Sequence, residues 1–333
     1  MKKRDFTYID LFSGAGGLSL GFENQGFRNI FSIDIEPSFC ETYKQNFPSH
    51  TLIQQDISVL KETDIQELIK KNPVDVIIGG PPCQGFSMAG SIGRRFIDDP
   101  RNHLFKEFAR VVSIVQPKAF LMENVARLYT HNSGKTREEI ITTFENLGYR
   151  VNCQVLNAAN FNVPQNRYRT IFIGVKTEQE VVLPEAVIQN PQDYATVKSA
   201  IDSLPRLESG EISDIPNHQA MKHSAQMLTK MSYVKDGGDR NSIPEEIRPK
   251  SGDIRKYIRY DSSKPSVCIT GDMRKVFHYD QNRALTVREL ARIQTFPDSF
   301  VFKGSLISQQ QQVGNSVPPL LAESLAKHIK QYL

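Results

Sequence analysis

The chain has 333 residues and a net charge of +4, with 39% hydrophobic and 23% charged residues. That is long enough for two domains, and the composition is that of a globular chain, not a disordered or fibrous one. No run approaches the ~18 apolar residues of a membrane span, no apolar signal region precedes the first strand, and cysteines 40, 83, 153 and 268 match neither a metal spacing nor a disulfide framework. The reading is a reducing, cytoplasmic chain whose mild basicity permits a polyanionic partner without requiring one.

In chain order, TYIDLF predicts a strand and GGLSLGFENQGF a helix. NIFSID follows as a strand and PSFCETYKQNF as a helix with proline early in its first turn. HTLIQQDI and VDVIIGG predict strands around the helix TDIQELIKK. After a loop, HLFKEFARVVSIV predicts a helix, and KAFLMENV and RTIFIGV predict strands. The alternation implies an α/β fold, a mostly parallel twisted sheet with helices on both faces, in which ligands sit at the carboxyl ends of the strands. From about residue 178 to 282 the chain is polar and rich in Pro, Gly, Ser and Asp; SAQMLTKMSYV is its best helix. LTVRELARIQTF and VPPLLAESLAKHIKQYL are helices again.

The glycine-rich turn DLFSGAGGLSLGF lies between the first strand and first helix. Glycines 14, 16 and 17 allow close approach of a ligand, although Ser19 takes the last position of a dinucleotide fingerprint. Asp34 closes the second strand about twenty residues on, where a carboxylate can accept from ribose hydroxyls. Asp56 closes the third. Each acid alone also suits a helix cap; together the three strand ends suggest an adenosine-containing ligand, NAD or S-adenosylmethionine.

Cys83 follows GGPP at the end of the fourth strand, so it sits at the rim of the sheet and leads into a loop instead of the core. A thiolate there can add to carbon 6 of a cytosine, which makes carbon 5 nucleophilic enough to take a methyl group. Negative charge then builds at N3. Glu123, ending the next strand, can supply a proton or hydrogen bond to it. Arg167 and Arg169, two apart at a strand start, are expected on one face, to bind the base carbonyl, the glutamate or a phosphate.

DLFSGAGG, DVIIGGPPCQGFS, ENV, QNRYR, RALTVRELARIQTFP and QVGNSVPP occur in the order of the bacterial DNA cytosine-5 methyltransferases, which the chain resembles over residues 7–175 and about 260–333. The resemblance implies an S-adenosylmethionine-dependent methyltransferase fold and a DNA (cytosine-5-)-methyltransferase. It makes Cys83 the nucleophile and Glu123 the N3 partner, with Arg167 and Arg169 orienting the base and the active-site groups. It implies that Phe12, Gly14, Gly16, Asp34, Ile35, Asp56, Ile57, Pro82 and Asn315 line the S-adenosylmethionine pocket, with S-adenosylhomocysteine as product and no metal. Asp34 stands where many relatives carry glutamate, with Glu36 close by. The expected catalytic domain is discontinuous, residues 1–178 plus 305–333, its C-terminal helix returning beside the first one. Residues 179–304 form the expected target-recognition domain with a hinge segment.

Such an enzyme must turn its cytosine out of the duplex. The loop QGFSMAGSIGRRFIDDPRNH, with Gly85, Gly90 and Gly93 for flexibility and Arg94, Arg95 and Arg101 for phosphates, suits that task. In the variable region, Arg248, Lys250, Arg255, Lys256, Arg259, Lys264, Arg274 and Lys275 face only Asp253, Asp261 and Asp272, a pattern fitting phosphate contact. His218, His223 and His278 show no ligand spacing. The implied partners are duplex DNA, read as a short specific sequence, and a separately acting restriction endonuclease. The implied form is a monomer in the bacterial cytoplasm, held to the nucleoid through DNA.

Two rival readings remain. One keeps the chemistry and changes the polymer to RNA, such as tRNA. The other is an NAD-dependent oxidoreductase using the same turn, with Tyr260 and Lys264 in a Y-x-x-x-K pattern. Pro265 disfavours the helix which that pattern needs.

Overall fold

The computed structural model describes residues 5–82, 103–250 and 256–333, in two compact units. The first comprises Met1–Asn157, Tyr168–Glu185 and Leu321–Leu333; the second comprises Ala158–Arg167 and Ala186–Leu320.

Unit 1 is built on a seven-stranded sheet. Its strands are β1 (Thr7–Leu11), β2 (Arg28–Asp34), β3 (Leu52–Gln54), β4 (Val76–Gly79), β5 (Ala119–Val125), β6 (Arg150–Asn157) and β7 (Tyr168–Val175), in the order β3-β2-β1-β4-β5-β7-β6. The first five are parallel; β7 runs antiparallel to both neighbours. The buried strands read as continuous apolar runs, Val76, Ile77 and Ile78 being fully enclosed, as a sheet covered on both faces requires. Helices α1 (Gly17–Asn24), α2 (Pro37–Asn46), α3 (Glu62–Ile69), α4 (His103–Val115) and α5 (Lys135–Glu145) connect them. Pro37 takes the first turn of α2, where its missing N–H leaves no bond unmade. Phe105, Phe108, Phe120 and Phe144 fill the space between α4, α5 and the sheet, the Phe120 and Phe144 rings 4.1 Å apart.

The parallel order follows the sequence expectation, but α5 and β6 do not appear in it. RVNCQVLN is half-exposed, with Cys153 buried and Gln154 and Val155 exposed, as suits an edge strand. The last helix, α10 (Pro319–Ile329), returns to α1 from Leu321 onward. The helices are so close that a Cβ on Gly21 would stand 2.4 Å from the Cβ of Ala322.

Unit 2 has little regular structure. Helices α6 (Val197–Ile201), α7 (Ala225–Tyr233), α8 (Val287–Ile293) and α9 (Leu306–Asn315) accompany a two-stranded parallel pair, β8 (Ile258–Arg259) and β9 (Val276–Phe277). Its interior is held by capped helices and buried polar bonds. Thr286 accepts from Glu289 N and begins a capping box at α8. The glutamine run lies in the middle of α9: Gln310 Oε1 accepts from Met273 N, and Gln312 donates to Lys303 O. The units divide the chain differently from the sequence-based boundaries in three places, the first being that residues 179–185 fall in unit 1. Residues 158–167 and 305–320 cluster with unit 2, because Gln165 bonds to Gln294 and Ile269, and α9 packs on α8.

Candidate active site

Five parallel strands of unit 1 end along one edge, and the residues after each end carry the chemistry. β1 leads into the turn Phe12–Gly16, where Phe12, Gly14 and Gly16 have φ of 60°, 56° and 99°. Positive φ on an aromatic residue costs ~1–3 kcal/mol and clusters at ligand sites. Gly16 has a second constraint, since a Cβ there would lie 2.4 Å from the Phe47 ring. Among the described residues, nothing lies within 4 Å of the Cβ position of Gly14. Ser13 is 7% exposed, and its Oγ has no hydrogen-bond partner among the described residues.

Asp34, at the end of β2, accepts from Gly14 N through Oδ2 (2.7 Å) and from Glu36 N through Oδ1 (2.9 Å). Burial pushes its carboxyl above the ordinary carboxylate range, against the pull of those two donors. Ile35 next to it is 62% exposed, an apolar side chain held in the open. Asp56 follows β3 and caps the short turn Ile57–Val59, its Oδ1 accepting from Ser58 N at 2.9 Å; that donor lowers its pKa. Ile57 is buried behind it. The set fits an adenosine ligand: a carboxylate for ribose hydroxyls, an exposed aliphatic face for a purine ring, and an unpartnered buried hydroxyl beside the glycine turn.

β4 ends at Gly79, and Gly80, Pro81 and Pro82 follow; Pro82 is exposed. Cys83 and the loop through residue 102 lie outside the described residues. In β5, Glu123 is 9% exposed. Its Oε1 receives Arg169 Nε from β7 at 2.7 Å, a charge-assisted bond between largely enclosed groups. Its Oε2 faces β4, where a Cβ on Gly80 would come within 3.1 Å. Asn124 Nδ2 donates to Pro81 O at 3.0 Å and so ties the end of β5 to the strand that leads to Cys83. Sequence reasoning missed Gly80 and Asn124; the GG before PP and the N of ENV are their only local signals. The thiols of Cys40 and Cys153 are buried and pushed up to about 12, which removes both as nucleophiles.

The paired arginines part company. Arg169 holds Glu123 in unit 1, whereas Arg167 belongs to unit 2, 1% exposed. Arg167 donates to Ile269 O, Asn315 O and the Cys268 sulfur. Arg167 directly precedes β7, in which Arg169 stands. Asn315 ends α9 with an exposed side chain.

The basic stretch of unit 2 also needs correcting. Arg259 is 6% exposed and donates to the carbonyls of Met231, Val234, His278 and Gln281 and to Asn282 Oδ1; it is a packing residue, withdrawn from any phosphate. Lys256 and Arg274 share Asp272, and Lys264 pairs with Asp261. Such surface pairs are worth ~0–1 kcal/mol and can exchange for phosphate. Arg255 and Asp253 lie outside the described residues. The Y-x-x-x-K pattern is not a dehydrogenase pair: Tyr260 is buried, and Lys264 sits in a turn bonded to Asp261.

The model of the C-5 cytosine-specific DNA methylase family matches residues 6–331. The chain is 64% identical over 323 residues to the type II methyltransferase M1.HphI of Haemophilus parahaemolyticus, covering 97% of this chain and 86% of that one. It is 36% identical over 373 residues to the type II methyltransferase M.DdeI of Desulfomicrobium norvegicum, covering 97% and 88%. Among solved structures, an E. coli protein assigned as a prophage-encoded DNA modification methyltransferase superposes with a TM-score of 0.79 at 28% identity, covering 98% of this chain and 99% of that one. DNMT2 of Spodoptera frugiperda shares the fold, with a TM-score of 0.67 at 19% identity over 98% of this chain and all of that one. The chain belongs to the C-5 cytosine-specific DNA methylase family. It is a DNA (cytosine-5-)-methyltransferase with the Rossmann-like fold of that family, and the family implies use of S-adenosylmethionine. The dehydrogenase reading is excluded, and RNA as substrate is not favoured. Among the described residues, no helix is long and apolar enough to cross a membrane.

Proposed function

We propose that the enzyme acts on a cytosine turned out of a short, specific duplex sequence, with Cys83 as nucleophile and Glu123 as the group that meets N3. The observation carrying this reading is the Glu123 carboxylate, fixed through one oxygen by Arg169 with the other turned toward the strand that runs into Pro81, Pro82 and Cys83. The Cys83 thiolate adds to carbon 6 while Glu123 gives a proton or hydrogen bond to N3. Carbon 5 becomes enamine-like and takes the methyl group. Loss of the carbon 5 proton to a base then expels the thiolate and restores the aromatic ring. When bound, S-adenosylmethionine supplies the electrophilic methyl on its sulfonium and leaves as S-adenosylhomocysteine.

Phe12, Gly14 and Gly16 shape the turn that receives the donor, with Ser13 Oγ as an added polar contact. Asp34 meets the ribose, Ile35 and Ile57 flank the adenine, and Asp56 faces its amino edge. Pro82 and Asn315 are the remaining proposed contacts. Arg169 orients Glu123, and Arg167, bonded to the backbone of Ile269 and Asn315, helps to orient the base. The enzyme works as a monomer in the bacterial cytoplasm, and its methylation protects DNA from a separately acting restriction endonuclease.

The test uses duplex DNA carrying 5-fluorocytosine at the modified position, found first by methylation-aware sequencing of DNA from expressing cells. No proton can leave a fluorinated carbon 5, so a covalent adduct should accumulate and Cys83→Ser should abolish it, while Cys268→Ser retains it. Normal methylation without an adduct overturns the route. Labelling of tRNA in preference to duplex DNA would reverse the polymer.

A further inference from the structure

Beneath the glycine turn, unit 1 buries a chain of polar side chains that the chemistry above does not use. Asp10, Ser19, Ser32 and Tyr43 are all fully excluded from solvent. Ser19 Oγ lies 2.6 Å from Asp10 Oδ2 and 2.8 Å from the Tyr43 hydroxyl. That hydroxyl also lies 2.7 Å from Ser32 Oγ and 2.9 Å from His50 Nδ1. His50 Nε2 reaches Glu23 Oε1, at 2.5 Å, near the surface. Ser19, Ser32 and His50 thus all meet the one Tyr43 hydroxyl, which offers a single proton and two lone pairs. Burial raises the Asp10 pKa to about 8, against the pull of Ser19 Oγ, which donates to its Oδ2.

The chain joins the elements that bear the turn. Asp10 stands in β1, two residues before Phe12; Ser19 is in the first turn of α1; Ser32 is in β2, two residues before Asp34; Tyr43 is in α2. The Tyr43 ring packs on Phe47 at 4.6 Å, and a Cβ on Gly16 would approach the two rings to 3.2 and 2.4 Å. Well-packed apolar side chains would serve stability as well as buried polar ones. A buried hydrogen-bonded network instead selects one arrangement of the parts it joins, here with Asp10 Oδ1 left without a partner among the described residues.

We propose that Tyr43 is a positioning residue for methyl-donor binding, its hydroxyl acting through Ser19 to hold the turn Phe12–Gly16 and the start of α1 in the conformation that receives S-adenosylmethionine. The inference rests on the donor site proposed above. Tyr43 touches no donor atom; it acts on the turn. The network contains its own control, because the Ser19 branch leads to the turn while the His50 branch leads outward to Glu23.

The experiment compares wild type, Tyr43→Phe, Ser19→Ala, His50→Phe and Asp34→Ala by calorimetric binding of S-adenosylmethionine and by steady-state kinetics on duplex DNA. Loss of one buried hydrogen bond on the Ser19 branch should raise Kd and KM for the donor about tenfold in both Tyr43→Phe and Ser19→Ala. KM for DNA and kcat at saturating donor should stay unchanged. His50→Phe, which keeps the ring stacked on Phe47, should lower Tm without moving donor affinity. Wild-type donor affinity in Tyr43→Phe or Ser19→Ala, or an equal loss in His50→Phe, overturns the inference and leaves the donor site standing. Unchanged affinity in Asp34→Ala refutes the donor site itself and the inference with it.

Discussion

Arg169 Nε lies 2.7 Å from Glu123 Oε1, with the two side chains 14% and 11% exposed. The bond crosses from β7 to β5, antiparallel neighbours in which Arg169 pairs with Val125, two residues beyond Glu123. It restrains one carboxylate oxygen and leaves the geometry of the other to the backbone beside it. Replacing Glu123 by Gln keeps a hydrogen-bonding group but removes the acid. Methyl transfer should fall by ~10²–10⁴ in kcat while donor affinity, measured by calorimetry, is retained. A loss of donor binding equal to the loss of rate would count against the assigned role.

Gly80 is the backbone beside that second oxygen. A Cβ there would stand 3.1 Å from Glu123 Oε2, closer than ordinary contact, so Gly80→Ala should push the carboxylate aside. A misplacement of ~1 Å near reacting atoms costs up to ~10²-fold in rate, and the smaller shift here correspondingly less. The expected result is a lowered kcat with Tm close to wild type. Full activity in Gly80→Ala would mean that the observed carboxylate position is not the working one.

Asp10 predicts a pH dependence. Its folded pKa is raised to about 8, against an unfolded value of ~3.9. Between these limits the unfolded chain releases a proton that the folded chain keeps. Its contribution to stability is therefore fully present below pH ~4 and is lost as pH rises toward 8, at up to ~1.4 kcal/mol per pH unit. Asp10→Asn, which mimics the neutral acid, should gain Tm relative to wild type as pH rises from 5 to 8 in thermal melts. A difference that does not change with pH would show that the carboxyl is ionised throughout.

His278 predicts the opposite slope. It is 2% exposed, and its Nδ1 accepts from Asp280 N and Gln281 N, so it must stay unprotonated. Burial lowers its pKa to about 4, against ~6.5 in the unfolded chain. Its stabilisation is present above pH ~6.5 and is lost as pH falls toward 4. His218 and His223, also lowered by burial, add in the same direction. His278→Asn retains an acceptor without the titration and should melt with a shallower acid slope than wild type below pH 6.5.

Much of unit 1 was readable along the chain because its signals are local. Apolar runs of strand length, glycine at the first turn and proline at the start of α2 each specify structure within a few residues. Asp34 and Glu123 were found because they end such runs. Asp10 was equally visible, an acid inside the apolar run TYIDLF, but nothing nearby says whether such an acid is paired, neutral or exposed. The strand β6 was missed because its alternation is weak and its partner β7 lies beyond a long interruption.

The order of motifs and the strand ends that carry them come from the chain itself, since each depends on residues adjacent in sequence, and they are what the chemistry proposed for Cys83 and Glu123 was read from. Tertiary structure alone decided which of two neighbouring arginines holds the glutamate, why Arg259 is a packing residue, and how four buried polar side chains from four elements meet under the glycine turn. Those outcomes depend on which distant segments are brought within hydrogen-bond reach and which charges are removed from water, and neither is set by local spacing.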